Sequence, residues 1–409
     1  MPGAASKPGQ GMERLNNTMA KALARGFVVA APGARGRTLK GADGKYTGKA
    51  PAVIVDLKAA VRYLRFNDKA MPGNAERIVS NGTSAGGALS ALLGATGNSA
   101  DYEPFLKALG AADVRDDIWA VSAYRPITNL DNADTAYEWL LGDLKETKDT
   151  MMPPPGGPAG APPANGAPQG LPGGAGGPWG APHSGSGPLS TGQIALSSQL
   201  RALFPAYVNG LGLKTTDGIP LNLDADGNGT FKDFVKSCLM ASAQRALKNG
   251  ADLSNMTWVK IGNGTVTDID WDGYILHAGR KKAVPSFDAL DLSSGENNEF
   301  GTDTVENCHF TAFGQAHSTV AAAGAADPAL VRMMNPMNYI GVAETSTAKF
   351  WRIRHGTMDS DTAIAIPVIL AARLSNAGCT VDFALPWDRP HSGDYDLDEL
   401  FAWIRQLTG

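Results

Sequence analysis

The stretch Gly82-Thr83-Ser84-Ala85-Gly86-Gly87 constrains this chain more than any other. It follows an apolar run, Arg77-Ile78-Val79-Ser80-Asn81, and precedes a run of small residues suited to a helix, Ala88-Leu89-Ser90-Ala91-Leu92-Leu93. A G-x-S-x-G sequence with those flanks predicts a strand, a sharp turn and a helix, the arrangement of a nucleophile elbow. The turn holds Ser84 in a strained conformation, and glycines two residues to either side leave room for strand and helix to close around it. The hydroxyl then stands at a helix N-terminus, where backbone N–H groups point at developing negative charge. The bland alternative is a plain Gly-rich turn, and the flanks argue against it.

This elbow belongs to an α/β-hydrolase core, a mostly parallel sheet flanked by helices, whose triad runs in the order Ser, acid, His. Near the C-terminus, Lys349-Phe350-Trp351-Arg352-Ile353-Arg354 reads as a strand ending in His355-Gly356-Thr357-Met358-Asp359-Ser360-Asp361. A second strand, Val381-Asp382-Phe383-Ala384-Leu385, leads to His391 and a final helix from Leu397 to Leu407. His391 can take the proton of Ser84, and Asp359 can hold the imidazole tautomer and stabilise imidazolium. His355 precedes the acid and reads as a residue that holds its own turn by hydrogen bonding. His183, His277, His309 and His317 show no metal-ligand spacing, so no metal is expected.

Upstream of the elbow, the pattern predicts a helix from Asn16 to Arg25, the strand Gly26–Ala31, a loop from Pro32 to Gly48 and a helix from Pro51 to Asn67. A sheet of this type usually begins with antiparallel strands and an oxyanion turn, and none precedes this point. The expectation is therefore that N-terminal strands are missing. Met1 would be an internal methionine of a longer protein, or the chain a truncated relative. No signal peptide is read at Met1. As it stands the chain would be cytoplasmic, and an upstream leader would make it periplasmic or secreted.

The 409 residues carry 43% hydrophobic content, enough for a sizeable core. A net charge of -4 offers no footprint for nucleic acid or an anionic membrane. No apolar run nears the ~20 residues that span a bilayer. Only Cys238, Cys308 and Cys379 are present, so a disulfide framework is not expected.

The alternation of strand and helix stops near Val121 and resumes near Lys349. This predicts a core in two parts, 1–124 and 336–409, with an inserted lid over 125–335. Helical runs Thr135–Leu144 and Phe231–Asn249 fall in the insertion, with turn-rich stretches such as Gly262-Asn263-Gly264. Pro153–Pro188, mostly Gly and Pro with almost no charge, reads as a mobile loop on the lid, either an inert linker or a gate. Asp224-Ala225-Asp226-Gly227-Asn228 matches the first half of a calcium loop, but Val235 stands where a bidentate Glu is required. A turn capping the helix from Phe231 is the simpler reading.

Together these residues resemble the bacterial tannases (tannin acyl hydrolases). The likeness runs through Ala31-Pro32-Gly33-Ala34-Arg35-Gly36-Arg37, the elbow, Ser122-Ala123-Tyr124-Arg125-Pro126-Ile127, Ser286-Phe287-Asp288-Ala289, Ser294-Gly295-Glu296-Asn297 and Arg354–Asp361. The fungal branch carries a bridged Cys pair where this chain has Thr83 and Ser392, so that pairing is excluded. The resemblance implies hydrolysis of the ester and depside bonds of gallotannins and alkyl gallates, without a cofactor and through Ser84, Asp359 and His391. It implies an oxyanion donor at the Ala85 N–H and a galloyl site at Lys282, Glu296 and Asp361. Carboxylates can accept from the three phenolic hydroxyls, and a lysine can donate to them.

Read without the resemblance, Lys282 beside Lys281 is a solvated pair, Glu296 lies in a polar run, and Asp361 is a candidate cap for a helix from Thr362 to Asn376. Two further readings stay open. One is an esterase for feruloyl or other hydroxycinnamoyl esters. The other is a truncated, catalytically impaired chain that binds phenols through those three residues. Small-molecule galloyl esters are the expected partners; oligomeric state is not legible.

Overall fold

In the computed structural model the described residues are 18–148 and 186–408. The N-terminal stretch before residue 18 and nearly all of the Pro/Gly-rich segment lie outside them. A four-stranded sheet holds β1 (Val79–Thr83), β2 (Ala120–Tyr124), β7 (Phe350–Arg354) and β8 (Thr380–Ala384) in that spatial order, all parallel. Register is continuous: Val79 lies opposite Ala120, Ala120 opposite Phe350, and Phe350 opposite Thr380. Their C-terminal ends therefore line up at one edge, where open α/β sheets bind ligands.

The strands match the sequence reading within two residues, because buried parallel strands read as short apolar runs. Every residue of β2 is buried. The helices Ala52–Phe66, Ala85–Ala95, Ala365–Asn376 and Leu397–Thr408 cover the sheet. Ala365–Asn376 buries nine of its positions, from Ala365 to Leu374, which fits its nearly unbroken apolar sequence. A buried ammonium ties two of these helices together. Lys58 donates to Asp116 Oδ1 at 2.8 Å and to the Thr96 carbonyl at 2.6 Å, just past the end of the elbow helix.

The strand expected at Gly26–Ala31 pairs with no strand among the described residues; residues 18–23 are helical, 24–26 turn, and the chain then runs without regular structure. Its burial alternates from Gly26 to Ala30, and it serves packing rather than a ladder. Phe27 stacks on Phe401 at 5.5 Å, and Phe27, Val29 and Val79 cover a small core formed by Ala22, Leu397, Leu400, Phe401 and Ile404.

Between β2 and β7 the chain leaves the sheet. Helices Leu130–Leu141, Thr191–Gly210 and Thr230–Lys248 dominate there, with two short antiparallel pairs. These are β3 (Glu146–Thr147) with β4 (Gly187–Pro188) and β5 (Val259–Gly262) with β6 (Thr265–Ile269). Asn263 and Gly264 both have positive φ, 51° and 74°, as a tight hairpin turn requires. The first helix starts at Leu130 rather than Thr135, and is buried from Ala133 to Leu141. Trp139, Phe204 and Phe231 belong to the same hydrophobic cluster as Val121 and Trp351 of the sheet, so the insertion shares the main core.

The Asp224 carboxylate closes its own turn, accepting from the N–H groups of Asp226 at 3.0 Å and Asn228 at 2.8 Å. The following helix begins at Thr230 behind Gly229 and takes no side-chain cap. Cys238, Cys308 and Cys379 are unpaired thiols.

Candidate active site

Ser84 leaves the end of β1 with φ 60° and ψ -120°, a conformation that ordinary residues avoid. Its N–H donates to the Tyr124 carbonyl at 2.9 Å, and its own carbonyl accepts from Ala88 in the first turn of the helix. The glycines divide the steric work differently from the sequence expectation. A Cβ on Gly82 would lie 2.2 Å from the Gly86 carbonyl oxygen, and one on Gly87 would lie 2.5 Å from the Tyr124 oxygen. A Cβ on Gly86 would meet nothing within 4 Å. Gly82 and Gly87 are thus the pair that lets the turn close. Ala85 opens the helix, so its N–H has no intrahelical acceptor and is available to an oxyanion.

Asp359 and His391 meet where the sequence places the triad. Asp359 follows β7 and is buried, while His391 lies on the loop after β8. His391 donates its Nδ1–H to Asp359 Oδ2 at 2.9 Å, leaving Nε2 with the lone pair a general base needs. The second carboxylate oxygen accepts the Asp361 N–H at 3.0 Å. The Arg125 guanidinium Nε stands 3.4 Å from Oδ2. Burial works to raise the Asp359 pKa, but the His391 ring with its hydrogen bond and the Arg125 guanidinium outweigh it, so the carboxyl stays well below its usual range.

The histidine loop is pressed onto the elbow. Asn81 donates to Asp394 at 3.2 Å, and Gly393 lies so close to Thr83 that a Cβ there would meet its Oγ1 at 1.8 Å. No hydrogen bond joins Ser84 to His391 among the described residues. In unliganded enzymes that contact often tightens only with substrate bound.

Asp361 does not cap a helix. The helix after it starts at Ala365 behind Ile364, without a side-chain cap. Instead Asp361 Oδ2 accepts from the Lys281 ammonium at 2.9 Å and lies 3.8 Å from Nδ1 of His391. Lys282, the lysine expected here, is not brought onto Asp361. Its ammonium lies over the Phe287 ring, 3.9 Å from the centroid. Glu296 sits half-buried in the first turn of the short helix Gly295–Glu299, with no side-chain hydrogen bond among the described residues.

His355 is a second correction. Its ring is fully buried beside Asp359, at 3.9 Å, yet neither nitrogen makes a hydrogen bond among the described residues. It does not hold its turn through the side chain; its backbone N–H continues the ladder to β8, donating to the Ala384 carbonyl. Burial pushes its pKa down to about 4, so the ring is neutral. Among the other histidines, His309 is buried between Asp288 and Ser318 at 2.7 and 2.9 Å. His277 lies 3.3 Å from Asp388, and His317 stacks on Phe313. His183 falls outside the described residues.

Asp359, Asp361 and His391 present potential metal ligands within 4.8 Å of one another. Their hydrogen bonds speak against a cation there, because His391 Nδ1 is committed to Asp359 and Asp361 to Lys281.

Sequence reasoning missed three residues around this centre. Arg125 lies in a quoted motif and directly after a buried strand, a charge in an apolar setting that could have flagged it. Lys281 had no signal to separate it from its neighbour. Tyr137 lies on a helix buried almost all round, where one polar ring has no periodic signature.

A model of the family described as BD-FAE matches residues 4–152. Among solved structures, a tannin acyl hydrolase in complex with ethyl gallate is 45% identical; the match covers 99% of this chain and 81% of that one, with a TM-score of 0.86. A tannase from Lactobacillus plantarum is 46% identical, with coverage of 96% and 80% and a TM-score of 0.85. A tannase from Fusobacterium nucleatum is 45% identical, with coverage of 96% and 80% and a TM-score of 0.84. No curated protein matches the chain. With that identity along almost its whole length, on a parallel sheet that carries a serine elbow, the chain belongs to the tannin acyl hydrolase (tannase) family of α/β-hydrolase carboxylic ester hydrolases.

Proposed function

We propose that this chain hydrolyses galloyl esters and depsides through an acyl-enzyme on Ser84. The observation that carries the reading is the pairing of Lys281 with Asp361 beside the histidine that Asp359 holds. A cation and a carboxylate next to the reacting centre supply a donor and an acceptor for adjacent phenolic hydroxyls. The related tannin acyl hydrolase whose structure holds ethyl gallate supports the same substrate class.

In this mechanism Ser84 Oγ attacks the ester carbonyl carbon and passes its proton to His391 Nε2. The carbonyl π pair moves onto oxygen, where the Ala85 N–H donates to it. Collapse re-forms the carbonyl and breaks the bond to the alcohol oxygen, which leaves with the proton from His391. Water then repeats the sequence on the acyl-enzyme and releases gallate and free Ser84. Asp359 keeps its charge throughout and stabilises imidazolium. No step needs a cofactor.

In the galloyl site, Asp361 and Glu296 accept from the ring hydroxyls, and a lysine donates. Lys282 is the lysine the resemblance puts in that role, and its neighbour Lys281 holds Asp361. Residues 125–335 form the lid on this reading, between core parts 1–124 and 336–409. Methyl gallate hydrolysis tests it, with Ser84→Ala as control. Turnover by the chain and a loss of about 10⁴-fold or more in the variant are expected. Equal or faster turnover of methyl ferulate would favour the hydroxycinnamoyl reading, and gallate binding without turnover the impaired chain.

A further inference from the structure

The mechanism above leaves the Arg125 guanidinium without a task, although it is fully buried beside Asp359. Its Nε stands 3.4 Å from Asp359 Oδ2, the same oxygen that accepts the His391 Nδ1–H at 2.9 Å. The other carboxylate oxygen takes the Asp361 N–H. None of the three guanidinium nitrogens makes a hydrogen bond among the described residues. A cation out of water is costly unless a counter-charge faces it, and Asp359 is the one within ion-pair range among those residues.

The backbone at this position is strained as well. Arg125 follows directly on β2 with φ 49°, a left-handed conformation that glycine takes freely and arginine does not. Such strain persists where the surroundings over-determine it. Here the Arg125 N–H donates to the Arg354 carbonyl at the end of β7, and the preceding Tyr124 carbonyl accepts the Ser84 N–H. The guanidinium packs on the start of the Asp359 loop, where a Cβ on Gly356 would meet Nη2 at 2.9 Å. It also faces the Tyr395 ring, on the loop that carries His391, at 5.8 Å from the centroid. Arg125 thus sits where the serine turn, the Asp359 loop and the His391 loop converge.

We propose that Arg125 is a positioning residue for the hydrolysis: its guanidinium fixes the Asp359 carboxylate beneath His391, and its charge weakens the hold of that pair on a proton. The proposal rests on the acyl-enzyme reading above. A cation beside two coupled groups repels an added proton, whichever of the two carries it. His391 Nε2 is then free to accept from Ser84 down to a lower pH. The other groups facing the pair are Asp361 with its partner Lys281, His355, Tyr274 and Tyr395, with Arg389 beyond the Tyr395 ring. His355 is neutral near pH 7, and burial keeps both tyrosines protonated there, so these three do not titrate alongside the pair.

The experiment records kcat/KM against pH for wild type, Arg125→Met and Arg125→Lys on p-nitrophenyl acetate and methyl gallate, with a melting curve for each protein. In Arg125→Met the acid limb should move up by about one pH unit on both esters. Its kcat should fall about tenfold or more on each, with the ratio between the esters unchanged. Arg125→Lys keeps the charge, so its limb should stay at the wild-type position while kcat falls in part. A folded Arg125→Met with lower kcat and an unmoved limb has lost only packing, and that overturns the proposal. A limb that moves equally in both variants overturns it too. Should Arg125→Met not fold, Arg125→Gln keeps amide donors without the charge and carries the same measurement. A wild type that cleaves neither ester overturns the acyl-enzyme reading and this proposal together. A wild type that cleaves the acetate but not the gallate overturns the galloyl reading alone, and the acetate profiles still decide the role of Arg125.

Discussion

Lys281 and Asp361 meet at 2.9 Å, Nζ to Oδ2, 80 residues apart in sequence and next to His391. If Lys282 reads the ring hydroxyls while Lys281 holds Asp361, Lys282→Met should raise KM for methyl gallate about 10- to 100-fold, the worth of one or two charge-assisted hydrogen bonds. Lys281→Met removes the partner of Asp361 and should raise it less. Steady-state kinetics of the two variants decide it, and the reverse ranking would give the role to Lys281.

The elbow glycines are unequal in space, and their variants should be unequal in stability. Gly82→Ala places a methyl 2.2 Å from the Gly86 carbonyl oxygen, which is backbone and cannot swing aside. It should cost about 2 kcal/mol or more. Gly86→Ala enters open space within a helix and should shift stability by less than about 1 kcal/mol, in the stabilising direction. Urea unfolding of both proteins checks the contrast.

His355 should make the fold acid-sensitive. Its pKa is about 4 in the folded chain and near 6.5 when exposed, so the unfolded state binds the extra proton first. The contribution is intact above pH 6.5 and lost as pH falls toward 4. It amounts to about 3 kcal/mol in full, of which about 2 kcal/mol is gone by pH 5. His355→Leu lacks the titrating ring, so it should lose about 2 kcal/mol less than wild type between pH 7 and pH 5 by urea unfolding. An equal loss in both proteins would rule the ring out as the cause.

Asp116 offers a test of the support behind the elbow. Its carboxylate is almost fully buried and takes both Lys58 and Arg62. Asp116→Asn leaves the Lys58 ammonium buried without its counter-charge, which should cost about 3 kcal/mol or more. Desolvation already lowers the Lys58 pKa, and Asp116 works against that shift. The variant should therefore regain part of its stability as pH rises and Lys58 becomes free to lose its proton. A melting temperature within a few degrees of wild type at neutral pH would contradict this.

How much was legible in the sequence divides by the range of the interaction. The elbow, the strands β1, β2, β7 and β8, and the helices Ala52–Phe66 and Leu397–Thr408 follow from local patterns: runs of apolar residues, small residues after a glycine turn, and helical spacing. Triad candidates follow from the same patterns, because strand ends mark where functional loops begin. Gly26–Ala31 shows the limit. Its apolar run was readable, but whether such a run meets a ladder or only a packing surface depends on neighbours the pattern does not name.

The sequence by itself determined an α/β-hydrolase core with a strained serine at a strand-to-helix turn, since these depend on residues within a turn or two of one another. Only the tertiary structure decided which of two adjacent lysines faces Asp361, that Arg125 and a neutral His355 crowd Asp359, and that Tyr137 Oη bonds to the loops of both Lys281 and Asp361. Apart from His355, which stands four residues from Asp359, those relationships cross 80 to 234 residues of chain, as in Lys281–Asp361 and Arg125–Asp359. They arise where packed elements converge, and no local periodicity encodes a contact of that range.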